Sequence, residues 1–274
     1  MKRLYADAGL LLVALIWGAT FPVVKLALNF ISPFAFNAIR FVFTSLLFLP
    51  FLKRREASAG VKIGVASFLG YTFQTIGLEL TTATNAGFIT STYIVFTPII
   101  AAKLYGEKLT RVEALSVIVA FIGVYLLSGV SSFNTGDALI LLCAIAFAFE
   151  IAMISEYSKK LQPLSLAGWQ VLSIGLFSTF PALFFTEKLV LNDYVLLSLL
   201  ITGLLATFVA KILQNYLQSY TKSVDAGIIL SLEGVFSHVF SVIVLGETLS
   251  ALQYLGAFLV FLAAILVSSQ NDKS

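Results

Sequence analysis

Apolar residues run through this chain in long blocks that are separated by short polar breaks. Ten such blocks occur, at residues 7–29, 34–52, 61–80, 85–104, 110–128, 136–158, 165–185, 194–218, 225–245 and 251–269. Most of them approach the roughly 20 residues that an α-helix needs to cross a bilayer. A transmembrane β-barrel would instead show stretches of about ten residues with alternating apolar and polar positions, and these blocks do not alternate. The pattern therefore predicts an all-α integral membrane protein with ten transmembrane helices.

The composition supports this prediction. Hydrophobic residues make up 59% of the chain and charged residues only 11%, whereas about one-quarter of the residues in soluble domains are charged. Lys2 and Arg3 precede the first block as in a signal peptide, but the block is longer than a signal core and has a counterpart in mid-chain, so we expect it to be retained. The single cysteine, Cys143, is expected to be a buried small apolar residue.

The second half of the chain repeats the first. Residues 74–128 align without a gap on residues 214–268, and 15 of these 55 positions are identical. Shared apolar composition alone would give on the order of one match in ten. An offset of 130 relates the earlier helices, as in the pairs Asp7 and Asp137, Trp17 and Phe147, and Pro33 and Pro163. We therefore predict two repeats of five helices, residues 1–130 and 131–274.

The basic residues predict the orientation, because Lys and Arg of short loops stay on the cytoplasmic side. With the N-terminus inside, the cytoplasmic face carries Lys2, Arg3, Lys53, Arg54, Arg55, Lys62, Lys103, Lys108, Arg111, Lys159, Lys160, Lys222 and Lys273, and the opposite face carries only Lys188. We expect a multi-pass protein of the cell (inner) membrane with both termini cytoplasmic and no nucleic-acid partner. Since five helices are an odd number, the second repeat begins on the opposite face, and the repeats are predicted to be inverted.

Ionisable residues deep in an apolar span are the first candidates for a functional site. Each costs roughly 2.5–3.5 kcal/mol to insert and normally faces the protein interior. Glu150, Lys211 and Glu233 are such residues, and we expect them to bind solute or couple its transport to charge. A structural role, such as an ion pair, is the alternative for Glu233 and Glu150, and polar contact between helices is the alternative for Lys211.

Amides and aromatic residues extend this candidate site. Gln214 and Asn215 share a helix face with Lys211, and Tyr71 and Gln74 occupy the same positions in the third span. Polar contact between helices is the alternative for the amides. Trp17 and Tyr93 are candidates as cavity walls, with helix packing as the alternative for Trp17.

Two further polar residues, His238 and Arg40, are weaker candidates. His238, the only histidine, could carry a proton, but it leans toward a face of small residues where a buried structural role is favoured. Arg40 is expected near the outer end of its span, where it snorkels to lipid headgroups or attracts an anion. Glu107 and Glu247 each follow a glycine at the end of a span, and turns with solvated carboxylates are expected there.

Several motifs make the chain resemble the EamA-type permeases of the drug/metabolite transporter superfamily. They are Trp17-Gly18-Ala19-Thr20-Phe21, Arg40-Phe41, the stretch from Asn85 to Leu109, Leu232-Glu233-Gly234-Val235-Phe236 and Leu245-Gly246-Glu247-Thr248-Leu249. The resemblance implies a ten-helix carrier of two inverted repeats, with a central cavity lined by the first, third, fourth, sixth, eighth and ninth spans. Such permeases commonly export or exchange amino acids, other metabolites and amphipathic drugs. Gly234, where many members have proline, and His238 depart from the usual pattern.

Together these features predict a secondary-active transporter of small metabolites, such as amino acids or amphipathic compounds, that works by alternating access around a midplane cavity. The expected partners are a small-molecule solute and the bilayer, with protons as coupling ion and a homodimer left open. A membrane channel or accessory membrane subunit is the alternative. An intramembrane enzyme is less expected, because phosphate-loop and zinc-helix motifs are absent, and neither a metal nor a cofactor is predicted.

Overall fold

The computed structural model describes residues 2–128, 134–248 and 250–269. The predicted boundary between the repeats, together with Leu249 and Lys273, lies outside the described residues.

Helices account for nearly all of the described chain. The first half contains α1 (Lys2–Ala27), α2 (Pro33–Phe48), α3 (Ala57–Leu80), α4 (Ala83–Thr90), α5 (Tyr93–Tyr105) and α6 (Arg111–Ser128). The second half contains α7 (Thr135–Tyr157), α8 (Pro163–Phe185), α9 (Asp193–Leu200), a π-helix (Ile201–Val209), α10 (Ala210–Leu217), α11 (Ser223–Leu230), α12 (Leu232–Leu245) and α13 (Ala251–Ser269). Short 3₁₀ turns occupy Leu49–Phe51, Arg54–Glu56 and Gln218–Tyr220.

These elements form the ten segments that the apolar blocks predict. Three segments are composite, since α4 continues into α5, α9 continues through the π-helix into α10, and α11 continues into α12. Within the described ranges, seven segments are long and apolar enough to cross a membrane, and α13 contains a shorter apolar helix. The remaining two helices belong to the same bundle, because α3 packs against α7 and α8, and α6 packs against α13. Within the described residues, β pairing is limited to one bridge between Ile31 and Leu189.

Local sequence explains where several helices begin and end. Proline occupies the first position of α2 and of α8, where its missing N–H costs no hydrogen bond. Asn134 and Asp137 form a capping box at the start of α7, and such reciprocal bonds satisfy otherwise orphaned N–H groups. Gly106 and Gly246 end α5 and α12 with φ of 67° and 68°, a left-handed conformation that glycine adopts without steric cost.

The two ends of the bundle are defined by contacts between helices. At the terminal face, near the start of α1, Arg3 forms an ion pair with Asp225 of α11. At the opposite face, the Lys25 ammonium donates to the Leu78 and Thr81 carbonyls at 2.8 and 2.7 Å. Thr81 in turn donates to Asp137 Oδ1 at 2.6 Å. Helix α1 therefore begins at the terminal face, whereas α7, the first helix of the second half, begins at the opposite face.

Two composite segments are interrupted at corresponding positions. The break between α4 and α5 comprises Ser91 and Thr92, and the break between α11 and α12 falls at Ser231, 140 positions after Ser91. The Ser91 hydroxyl donates to the Ser231 carbonyl at 2.8 Å. The segments cross closely beside this bond, because a Cβ on Gly87 would lie 2.5 Å from Ser237 Cβ. The two broken segments thus meet in the middle of the bundle.

Candidate functional site

A small cavity, with a volume of about 30 Å³, lies in the centre of the bundle. Its walls come from α1, α2, α3, α5, α7, α10 and α12, and its lining residues are Trp17, Thr20, Phe21, Arg40, Tyr71, Gln74, Tyr93, Phe147, Glu150, Ile151, Lys211, Gln214 and Glu233. Eight of the nine main candidates from the sequence line it, and Asn215 does not. Of the two weaker site candidates, Arg40 lines the cavity and His238 does not.

The lining residues correspond in pairs between the halves of the chain. The offset of 140 pairs Tyr71 with Lys211, Gln74 with Gln214, and Tyr93 with Glu233, and the offset of 130 pairs Trp17 with Phe147, Thr20 with Glu150, and Phe21 with Ile151. These six pairs and Arg40 make up the whole lining. Three members are charged, and their counterparts in the first half are neutral. The charged members are Glu150, Lys211 and Glu233. Both halves therefore build the cavity, but they contribute different chemistry.

The centre of the site is an ion pair between α10 and α7. Lys211 Nζ lies 2.5 Å from Glu150 Oε1, and the two side chains are only 1% and 2% exposed. Lys211 also donates to Gln214 Oε1 at 3.1 Å. The other carboxylate oxygen, Glu150 Oε2, is buried and has no hydrogen-bond partner among the described residues. Since buried charges are costly unless fully paired, this pair retains one unused acceptor in the cavity wall.

Aromatic rings surround the ammonium of Lys211. Its Nζ lies 4.6 Å from the centre of the Trp17 ring and 5.4 Å from that of Tyr71. Such contacts attract a cation through the electron-rich face of the ring, most strongly where water is excluded. The rings therefore favour a charged Lys211 in addition to its carboxylate partner.

The π-helix that precedes Lys211 is held in place by residues of the cavity wall. The Trp17 indole Nε1–H donates to the Ala206 carbonyl at 2.9 Å, and Arg40 Nε donates to Thr207 Oγ1 at 2.9 Å. Thr207 donates onward to the Thr202 carbonyl at 2.8 Å. Segments of π-helix are rare and frequently occur at functional sites. Because a helix fixes the direction of the residues that follow, these bonds help to aim Lys211 at Glu150.

Arg40 lies deeper than the sequence suggested. Its side chain is buried, with 5% of the residue exposed, and its guanidinium stacks over the rings of Phe41 and Tyr71 at 4.7 and 5.0 Å. The expectation that Arg40 snorkels to the headgroups is therefore wrong. The position of Arg40 in the sequence gave no sign of its partners inside the bundle, which are Thr207 of the π-helix and the rings of Phe41 and Tyr71.

Glu233 and Tyr93 lie in the wall near the helix breaks. Glu233 is in the first turn of α12 and Tyr93 is the first residue of α5, and they are 4% and 1% exposed. Helix N-termini favour negative charge, which suits a carboxylate at this place. Within the described part of the chain, Glu233 forms no ion pair within 4 Å, and Lys211 pairs with Glu150. Glu233 is thus a buried acid without a direct cationic partner.

The amides on α10 divide between cavity and packing. Gln214 lines the cavity, whereas Asn215 Nδ2 donates to Gln170 Oε1 at 3.1 Å and to the Lys211 carbonyl at 2.9 Å. Gln170 continues this chain by donating to Ser67 Oγ at 2.9 Å. Asn215 therefore joins helices in the way expected of polar adhesion.

His238 contacts α4 away from the cavity. Its Nδ1 lies 2.9 Å from the Thr84 hydroxyl, and its ring centre lies 5.2 Å from that of Phe88. The histidine is 2% exposed. This environment matches the buried, hydrogen-bonded role that the sequence favoured.

Four lining residues were not candidates from the sequence, namely Thr20, Phe21, Phe147 and Ile151. None is charged, so the cost of burying charge gave no signal for them. The repeat contained the missing information, because Phe147 corresponds to Trp17 and Thr20 corresponds to Glu150. Cys143 is free and buried, as expected. Among the described residues, no group of three or more His, Cys, Asp or Glu side chains could hold a metal ion.

Comparison with known proteins identifies the family. The model of the EamA-like transporter family matches this chain twice, at residues 4–129 and 134–269. An uncharacterized transporter of Archaeoglobus fulgidus is 60% identical over 268 residues, which cover 98% of this chain and 87% of that protein. A probable amino-acid metabolite efflux pump of Salmonella typhimurium is 24% identical, over 91% of this chain and 90% of that protein. A solved crystal structure matches 99% of this chain and 100% of its own with a TM-score of 0.79 at 16% identity, which shows a shared fold.

Both copies of the family model together span almost the entire chain and coincide with its two sets of helices. The central cavity and the apolar segments are features of a membrane transporter, and a relative of high identity is named as a transporter. The chain therefore belongs to the EamA-like transporter family of the drug/metabolite transporter superfamily, and it is a membrane transporter rather than an enzyme.

Proposed function

We propose that this protein is a secondary-active exporter or exchanger of small zwitterionic or amphipathic metabolites such as amino acids. It works by alternating access of two inverted repeats, residues 1–130 and 131–274, around the central cavity. The opposite starting faces of α1 and α7 support the inversion. Two pseudo-symmetric halves that enclose a midplane site are a recurring design of secondary transporters.

The observation that carries this proposal is the buried pair of Lys211 and Glu150 in the cavity wall, 2.5 Å apart. A zwitterion can replace such a pair by exchange, since its carboxylate binds Lys211 while its ammonium binds Glu150. The number of charges in the cavity then stays balanced, and no charge is left unpaired. The rings of Trp17, Tyr71 and Phe147 provide apolar contact for the rest of the solute.

Selectivity follows from the same exchange. A solute with only a carboxylate would leave Glu150 unpaired, and a simple amine would leave Lys211 unpaired. Leaving one partner of a buried pair uncompensated costs about 3–5 kcal/mol. We therefore assign the cavity to solutes that carry both charges.

Glu233 is proposed as the residue that couples transport to protons. It is buried in the wall of the same cavity and has no direct cationic partner among the described residues. A buried carboxylate without an ion pair tends to take up a proton, because burial penalises its charged form. Binding and release of that proton as the cavity changes its exposure would link proton movement to solute movement.

The orientation and partners complete the proposal. We place the terminal face in the cytoplasm of a cell membrane, because the loop cations concentrate on that face. A homodimer stays a prediction.

Ligand binding to the purified protein tests the solute class. Thermal unfolding in detergent would be followed with a panel of L-amino acids, each beside its decarboxylated amine and its deaminated acid. A ligand that binds the folded state raises the unfolding midpoint. We expect a shift with at least one amino acid and none with either of its single-charge analogues. A panel in which only anions or only amines stabilise the protein would refute the exchange of ion pairs.

Matched variants locate the effect. Lys211→Met with Glu150→Leu removes both charges of the ion pair from the cavity wall and should abolish the shift. Lys62→Ala changes an exposed lysine and should preserve it.

A further inference from the structure

The two Gly-Glu pairs have corresponding contacts with the opposite half of the chain. Gly106 and Gly246 turn the chain at the ends of α5 and α12, with φ of 67° and 68°. The next residues, Glu107 and Glu247, are only partly exposed and are 140 positions apart. The expectation of solvated carboxylates at these turns is wrong, because each carboxylate binds a helix of the other half.

Glu247 binds the start of α4 at the opposite face. Its Oε2 accepts from the Thr84 backbone N–H at 3.2 Å and also from the Thr84 hydroxyl. Thr84 is the second residue of α4, where the helix has unsatisfied N–H groups. A carboxylate is favoured at this position both by the helix dipole and by the added strength of charge-assisted hydrogen bonds.

Glu107 makes the corresponding contact at the terminal face. Its two carboxylate oxygens accept from the backbone N–H groups of Ser223 and Val224, each at 3.3 Å. These residues begin α11, which is related to α4 by the repeat. Each broken segment thus supplies a carboxylate to the N-terminus of the other.

The two contacts lie on either side of a close crossing. In the middle of the bundle, Ser91 donates to the Ser231 carbonyl, and a Cβ on Gly234 would lie 2.9 Å from the Gly87 carbonyl oxygen. The segments α4–α5 and α11–α12 therefore form a cross that is packed at its centre and bound by one carboxylate at each end. Tilting one segment relative to the other about this centre would separate the contacts at one face and compress those at the other.

We propose that Glu247 and Glu107 are positioning residues that act as reciprocal locks, each keeping one face of the transporter closed. This inference rests on the proposed alternating access. Release of Glu247 from Thr84 accompanies opening of the opposite face, and release of Glu107 from Ser223 and Val224 accompanies opening of the terminal face. Loss of either lock then biases the protein toward the state that is open at that face.

Accessibility of the cavity from each face tests the locks. Thr20→Cys, in a Cys143→Ala background, places one reactive thiol in the cavity wall. A membrane-impermeant maleimide would be added to right-side-out and to inside-out vesicles. In Glu247→Gln the amide oxygen still accepts from Thr84, but without the charge assistance of the carboxylate. We expect this variant to raise labelling from the opposite face about fivefold, a change comparable to the loss of one net hydrogen bond. Glu107→Gln should raise labelling from the terminal face to a similar extent.

Two controls match these variants. Glu79→Gln changes an exposed carboxylate near the opposite face, and Glu156→Gln changes a partly exposed one near the terminal face. Both should leave labelling from both faces unchanged. If Glu247→Gln does not accumulate as folded protein, Thr84→Val keeps the backbone N–H donor to Glu247 and removes the hydroxyl, which also contacts His238 Nδ1. This variant should give a smaller increase at the same face.

Face selectivity decides the outcome. A purely structural helix cap predicts a lower unfolding midpoint with equal labelling changes, or none, at the two faces, and either result would overturn the inference. Face-selective labelling together with a failed ligand panel would retain the locks and refute the proposed solute class. The reverse combination would retain the solute site and refute the locks.

Discussion

Tyr93 and Glu233 occupy corresponding positions in the two halves of the chain, 140 residues apart, and both line the same central cavity. One is neutral and the other acidic, and the same contrast separates Tyr71 from Lys211 and Thr20 from Glu150. A duplicated architecture has therefore produced a cavity whose charges belong mostly to one half. This asymmetry suits a solute with two different ends, which a symmetric cavity could not distinguish.

The ion pair between Lys211 and Glu150 predicts a particular pattern of stability. Lys211→Met or Glu150→Leu alone leaves a buried charge without its partner and should lower the free energy of unfolding by about 3–5 kcal/mol. The double variant removes both charges and should recover most of that loss while remaining unable to transport. Thermal unfolding in detergent and uptake into proteoliposomes measure the two effects separately. Equal stability of the single and double variants would contradict this account of the pair.

The indole of Trp17 should contribute through both its N–H group and its ring. Trp17→Phe removes the donor to the Ala206 carbonyl but keeps an aromatic face for Lys211, and should cost about 1 kcal/mol. Trp17→Leu also removes the cation–π contact and should cost about 1–2 kcal/mol more. The unfolding midpoint should therefore fall from the unaltered protein to Trp17→Phe and further to Trp17→Leu.

A second tryptophan provides the control. Trp169 donates to the Lys53 carbonyl at 2.9 Å in an exposed setting, where water can replace the lost donor. Trp169→Phe should therefore destabilise the protein less than Trp17→Phe. If Trp169→Phe destabilised the protein more, the hydrogen bond from Trp17 to the Ala206 carbonyl would contribute little to stability.

Close packing at Gly18 predicts sensitivity to a single methyl group. A Cβ at this position would lie 2.5 Å from Phe236 Cβ and 2.8 Å from the Glu233 carbonyl oxygen. Gly18→Ala should therefore cost about 1–3 kcal/mol by overpacking and displace the start of α12. At Gly227 the nearest atoms, those of Thr97, lie 3.5 Å away, so Gly227→Ala should be tolerated and gain helix propensity. Comparable unfolding midpoints for the two variants would refute the packing argument.

Proton coupling through Glu233 predicts a specific loss. Uptake by the unaltered protein should change with the pH gradient across the proteoliposome membrane. Glu233→Gln, which keeps the shape but cannot release a proton, should transport at a rate that no longer follows the gradient. Glu156→Gln serves as the control and should respond normally. A full response of Glu233→Gln to the gradient would exclude this residue as the coupling site.

Much of the fold follows from the sequence because lipid allows few solutions for an apolar chain. Backbone groups must be satisfied within each segment, so ten apolar blocks lead to ten helical segments. The interruptions at Ser91 and Ser231 were not predicted, since both blocks are apolar on each side of the break. The π-helix at Ile201–Val209 was also missed, because its residues are as apolar as those of an ordinary spanning helix.

The candidate site was partly predictable for a related physical reason. Burial of charge is expensive, so Glu150, Lys211 and Glu233 could be chosen as site candidates without knowledge of the direction of their side chains. Asn215 and Arg40 show the limit of that reasoning, because the direction of a side chain depends on helix register and on partners far away in sequence. The partner of Lys211 could not be chosen from spacing, and the structure selects Glu150 rather than Glu233.

Counterflow in proteoliposomes tests the central claim most directly. Vesicles containing the protein and a mixture of unlabelled amino acids would be diluted into the same mixture carrying stable isotopes, and mass spectrometry would follow labelled amino acids entering the lumen. We expect entry of at least one amino acid that depends on both the protein and the unlabelled pool, and that disappears when Lys211 and Glu150 are replaced together. Entry that needs no unlabelled pool, as through a channel, or that survives the double replacement, would contradict the central claim.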